Sequence, residues 1–155
     1  MAINLELATN ALRNALPRRA MWKLHGTNLS FDFSRAQVPL QTIADNEFVG
    51  EPDAQWEALL VFGEQDYANG GGACVLLTID CRDGTVHGLD LEREQPVFLL
   101  NSTVSAFVAT FIVLDEYFKN DVACSPDLMM QLKEADASAY QRSEWRLFAE
   151  QLVST

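Results

Sequence analysis

Residues 96–118 read PVFLLNSTVSAFVATFIVLDEYF. The stretch opens as a short apolar run, crosses Asn101-Ser102-Thr103, and resumes as a longer apolar run with a different period. Before Asn101, residues 96–100 have the length and character of a short apolar strand. After it, Val104, Phe107, Phe111, Leu114 and Phe118 recur at spacings of 3, 4, 3 and 4, with Val108 and Ile112 widening the stripe. That period is one face of a helix, predicted here over 103–118. Asn101 or Ser102 is the expected N-cap, accepting a hydrogen bond from an otherwise unpaired N–H of the first turn. The apolar part, 104–114, is well short of the roughly 20 residues that span a bilayer. No G-x-S-x-G occurs, so the turn is not a nucleophile elbow. The stretch is read as the last strand of a sheet handing over to the helix that covers it.

Upstream, WEALLVFG (56–63), ACVLLTIDC (73–81) and TVHGLDL (85–91) are strand candidates. Short connections between them predict an antiparallel meander through 101. Asp83-Gly84 between two apolar runs is a strong hairpin signal, and Gly70-Gly71-Gly72 falls in the preceding loop. LSFDF (29–33) alternates as a half-buried strand does. Residues 3–15 fit a short amphipathic helix ended before Pro17. VPLQTIADNEFVG (38–50) is irregular, with a weak helical turn after Pro39. Downstream, Ser125-Pro126-Asp127 starts a helix that LMMQLKEADASAY (128–140) continues. SEWRLFAEQLV (143–153) makes another, with Trp145, Phe148, Ala149 and Leu152 on one face. No repeat or linker interrupts the chain. The expectation is one α+β domain over 1–155, an antiparallel or mixed central sheet flanked by helices.

Hydrophobic content of 48% and charged content of 21% exclude a disordered chain. MAINLELATN lacks a basic segment followed by an apolar one, so no secretory signal is read there. The sequons at Asn28 and Asn101 are then read as chance. Cys74, Cys81 and Cys124 are odd in number and fit neither a disulfide framework nor a zinc site. A reducing, cytoplasmic setting follows as the expectation.

The formal charge is −11 and unevenly spread. Residues 1–50 carry 5 basic and 4 acidic side chains, whereas residues 51–155 carry 6 basic and 18 acidic ones. Such a field repels nucleic acid and anionic membrane and speeds encounter with a basic partner. Solubility alone also favours acidic surfaces.

Signals for catalysis are weak. His25 and His87 are the only histidines, and neither H-x-x-x-H nor C-x-x-C occurs. Asp80, Asp83 and Asp90 flank one hairpin, where three carboxylates suit a hard cation such as Mg²⁺ but also suit a solvated turn. His87 lies mid-strand and reads as a packed or surface imidazole rather than a general base. Asn69-Gly70-Gly71-Gly72 lacks the GK[ST] ending and strand-to-helix context of a P-loop. Phe31, Phe33, Trp56, Phe62, Phe98, Phe107 and Phe111 fall on core-facing periods, not on a base-stacking platform. No catalytic residue, metal or cofactor is expected.

The order of these pieces is more specific than any one of them. LLVFGEQDYANGGGACVLLTIDCRDGTVHGLDL is followed by VFLLNSTVSAFV, after Leu16-Pro17 and a Pro-led segment. This resembles the SUKH superfamily, the Smi/Knr-type domains, and within it the bacterial toxin-immunity branch. Phe62, Gly63, Asp66, Gly71, Gly72, Ile79, Asp80, Asp83, Gly84, Val86, Asp90, Phe98, Asn101, Ser102 and Phe107 stand at matching points of the pattern. The likeness covers roughly residues 12–118 and departs at Thr103-Val104-Ser105 and at the Gly-rich YANGGGA. It implies an α+β fold and a non-enzymatic role: binding a polymorphic toxin domain and blocking it. Targets of that superfamily are often basic, nucleic-acid-modifying enzymes. The expected partner is therefore a cognate, basic toxin domain, with no nucleic acid and no membrane. Candidate contacts are the acids expected at loops and strand ends, namely Glu64, Asp66, Asp83, Glu92 and Glu94. An acidic secretion chaperone or adaptor is the alternative, and a metal-assisted enzyme using Asp80, Asp83 and Asp90 a further one.

Overall fold

The computed structural model describes residues 4–24, 27–36, 40–43, 54–67, 75–119 and 126–154. Asn4 opens the first element, its side chain accepting a hydrogen bond from Leu7 N at 3.1 Å. Helix α1 then runs Leu5–Ala15 and stops at Leu16, which is extended, as a residue before proline prefers. Strands β1 (Arg19–Leu24) and β2 (Thr27–Asp32) form a hairpin, and β3 (Gln41–Thr42) is short. The meander follows as β4 (Leu59–Tyr67), β5 (Val75–Asp80), β6 (Val86–Leu89) and β7 (Val97–Asn101). Helices α2 (Val104–Lys119), α3 (Pro126–Ala135) and α4 (Glu144–Ser154) complete the order.

The seven strands among the described residues join one sheet in the order β1-β2-β4-β5-β6-β7, with β3 on β4 beyond the end of β2. Every pairing is antiparallel, so the α+β expectation holds with the antiparallel form of the sheet. The Asp-Gly turn forms where expected. Gly84 takes φ 80, a region open to glycine, and its N–H donates to Asp80 O at 2.8 Å.

The sheet has two unlike faces. On the inner face Trp22, Phe31, Phe62, Leu77 and Ile79 pack against Phe107, Phe111 and Leu114 of α2, with Leu12, Leu132 and Trp145 from the other helices. Its centre is aromatic. Phe62 meets Phe107 edge-on at 5.1 Å, and Phe111 meets Phe31 and Phe33 edge-on at 5.3 and 5.1 Å. A bulge in β4 makes Phe62 the extra residue between Val61 and Gly63. Val61 thus faces outward while Phe62 joins the inner core. The outer face carries a smaller cluster of Ile43, Leu59, Val61, Leu76 and Leu89, to which no helix among α1–α4 contributes.

Three local expectations need correction. β1 is a strand that the sequence reading does not place. Its alternation of Ala20, Trp22 and Leu24 against Arg19, Met21 and Lys23 is blurred by an outward-facing methionine, 57% exposed. Residues 41–42 are extended against Val61 and Leu60 instead of helical. Helix α3 ends at Ala135 rather than continuing to Tyr140, because Asp136 turns its carboxylate onto Ala139 N and the end of β7.

Candidate partner-binding surface

Glu64 and Asp66 lie two apart on β4, so both project from the outer face. Strand pairing sets Glu64 against Asp32 and Asp66 against Ser30, and continues to Arg19 and Met21 on β1. The polar face made by β1, β2 and β4 is therefore mixed in sign. Arg35 Nη2 sits 3.1 Å from Glu64 Oε1, and Arg19 Nε sits 3.9 Å from Asp32 Oδ2. Burial pushes the Asp32 carboxyl up, yet hydrogen bonds from Ser34, with Arg19 and Arg35 nearby, hold it below its usual value. Glu64 is mid-strand and ion-paired, which corrects its expected place at a loop or strand end: β4 continues to Tyr67.

Asp83, Glu92 and Glu94 do occupy turns, and all three are exposed. They do not come together. Asp83 lies in the β5–β6 turn, whereas Glu92 and Glu94 lie in the β6–β7 turn at the other end of β6. The register puts Asp66 toward the Glu92 and Glu94 end, since Gln65 pairs with Val75, Leu76 with Leu89, and Leu89 with Val97. The five acids thus divide into one end with Asp66, Glu92 and Glu94, a mid-strand Glu64, and an opposite end with Asp83.

The carboxylates Asp80, Asp83 and Asp90 are likewise split, Asp80 and Asp83 bound into the β5–β6 turn and Asp90 into the β6–β7 turn. Asp80 is buried and takes a two-point contact from Arg82, Nε to Oδ1 at 3.0 Å and Nη2 to Oδ2 at 2.8 Å. The Arg82 hydrogen bonds hold the Asp80 carboxyl below its usual range, against the opposing effect of burial. Asp83 Oδ1 accepts from Thr85 N and Oγ1, and Asp90 Oδ1 accepts from Glu92 N. These are turn-closing bonds of a kind aspartate makes with its own backbone. Among the described residues no three His, Cys, Asp or Glu side chains gather as metal ligands would. His87 is half-buried, with Nδ1 3.4 Å from Thr85 Oγ1, and burial lowers its basicity despite Asp80 and Asp83 nearby. Cys81 is a free thiol. His25, Cys74, Cys124 and residues 69–72 lie outside the described residues.

One polar constellation escapes the sequence reading altogether. Asn101 does not cap α2; Thr103 does, its Oγ1 accepting from Ala106 N at 3.0 Å. Asn101 is instead buried. Its Nδ2 donates to Asp136 Oδ2 at 3.0 Å and Thr110 Oγ1 at 3.1 Å, and its Oδ1 accepts from Trp145 Nε1 at 2.8 Å. Ser102 donates to the same carboxylate through N at 2.8 Å and Oγ at 2.7 Å. Ser143 Oγ donates to Leu100 O and accepts from Trp145 N, opening α4. This network ties the strand-to-helix junction to the C-terminal helices. Its polar groups are committed to one another, so it positions the fold instead of facing a ligand. The only sequence signal for it is the Asn-Ser pair itself.

No helix among the described residues is long and apolar enough to cross a membrane. Comparison with protein-family models, with curated proteins and with solved structures returns no match.

Proposed function

We propose that this protein is a non-enzymatic binding protein of the immunity type, which neutralises a cognate basic toxin domain by direct contact. The observation that carries the reading is the charge of residues 51–155, 18 acidic side chains against 6 basic, with Glu92 and Glu94 exposed on one turn at the end of the sheet toward which Asp66 lies. The ordered likeness of residues 12–118 to the SUKH immunity pattern supports it. A basic domain meeting this end gains both a steering field and acids placed where they reach a partner without disturbing the core. The test is to produce a candidate basic toxin domain, sought among the genes neighbouring this one, with and without the protein. The expected result is a stable one-to-one complex and loss of toxicity. A toxin that neither binds nor is neutralised overturns the reading.

A further inference from the structure

Phe98 of β7 pairs with Gly88 of β6, and its ring lies directly across that glycine. A Cβ at position 88 would overlap the ring, so the absent side chain is what lets Phe98 lie there. The Arg93 guanidinium lies over the ring, with Cζ 4.2 Å from the centroid. Two carboxylates grip the same cation: Glu144 Oε1 at 2.8 Å from Nη1, and Asp90 Oδ2 at 3.4 Å from Nε. Asp90 is fixed by its turn, accepting from Glu92 N, and Glu144 by the first turn of α4. An aromatic face and two anchored carboxylates form a cage for a planar cation.

The occupant is the weakly held part. Arg93 comes from a turn in which residues 91–95 are all exposed, and its own side chain is 41% exposed. Ion pairs at that exposure are worth little, so exchange for an equivalent cation costs little. The cage is part of a groove of about 350 Å³ between α4 and the sheet, whose apolar lining includes Leu29, Val75, Leu147 and Phe148. We infer that this cage is a docking site for an arginine side chain of a basic partner protein, and that Arg93 holds the place until the partner's guanidinium displaces it. The groove then receives apolar side chains flanking that arginine, while Glu92 and Glu94 on the same turn favour a basic segment.

The inference rests on the partner being basic, but its test uses no partner, so the two fail in different experiments. The full-length chain carrying Arg93→Ala is titrated with Nα-acetyl-arginine amide and followed by NMR. Saturable shifts at Gly88, Phe98 and Glu144 are expected. The neutral citrulline amide should give none, and adding Glu144→Gln should weaken binding about twofold to fivefold. A folded R93A chain without saturable binding, or one that binds both probes alike or is indifferent to E144Q, overturns the proposal. If R93A does not fold, the wild-type chain decides. Its Arg93 Nε–H signal should move toward the solvent-exposed position with the arginine amide and not with the citrulline amide, and an unmoved signal overturns the proposal.

Discussion

Asp136 is buried and accepts four hydrogen bonds: from Ser102 N and Oγ, from Asn101 Nδ2, and from Ala139 N. Truncating it strands several buried donors at once, and each costs about 1–3 kcal/mol when left unpaired. Asp136→Ala should therefore lower the unfolding free energy by about 3 kcal/mol or more, read from the denaturant midpoint at unchanged slope. A midpoint within error of wild type would mean that these bonds do not hold the junction. This residue also shows where sequence reading ends. Asn101 and Ser102 have the composition of a cap, and local rules assign them one. Their true acceptor is 34 to 35 residues away, and a pairing at that distance leaves no periodic trace. Thr103, one position on, satisfies the local requirement.

Helix α2 was legible because its stripe obeys a period, and the structure buries Phe107, Phe111 and Leu114 on it while leaving Ile112 exposed. Phe107 is fully buried and meets the rings of Phe33, Phe62 and Trp145. Phe107→Ala should cost about 3–5 kcal/mol, whereas Ile112→Ala on the exposed side should stay within about 1 kcal/mol. Equal midpoints for the two variants would contradict the packing described. The meander was legible for the same reason, as apolar runs cut by Asp-Gly and other polar turns. β1 and β3 were not: one shows an outward methionine, and the other is two residues long. Strand β6 yields a pH test. Burial keeps His87 below its ordinary 6.5, with Asp80 and Asp83 partly offsetting. The unfolded chain therefore takes up this proton at a higher pH than the folded one. His87 costs no stability above its unfolded value; as pH falls through that value toward the folded one, stability is lost, and below both the loss levels off. Between about pH 7.5 and 5.5, wild type should lose more stability than His87→Gln, measured by paired denaturation curves. A parallel decline would show that His87 titrates alike in both states.

Charge is the property that belongs to the chain as a whole, and its sign and amount were plain from the sequence, whereas its placement was not. Counting acids cannot reveal that β4 runs through Glu64 to Tyr67, or that Asp83 and the Glu92–Glu94 turn lie at opposite ends of β6. That division sharpens what charge reversal should do. Steering depends on the local field, and single charges at a rim change association rate more than affinity. Reversing Asp66, Glu92 and Glu94 to Lys together inverts the field at one end and leaves the ion-paired Glu64 and the buried core alone. The triple variant should associate with a basic toxin domain about tenfold more slowly, or slower still, at low salt. At 0.1 M salt Asp83→Lys should stay within about twofold of wild type, because it lies at the other end of the 4-residue β6, roughly 13 Å away and beyond a Debye length of about 10 Å. Wild-type association should slow steeply from low to physiological salt, and the triple variant should lose most of that dependence. Stopped-flow traces for the three proteins, with a thermal melt to confirm folding, supply the comparison. If Asp83→Lys slows association as much as the triple reversal does, the partner approaches from the β5–β6 end. If neither does, attraction to the acidic surface is not what brings the partner in, and the charge serves solubility alone.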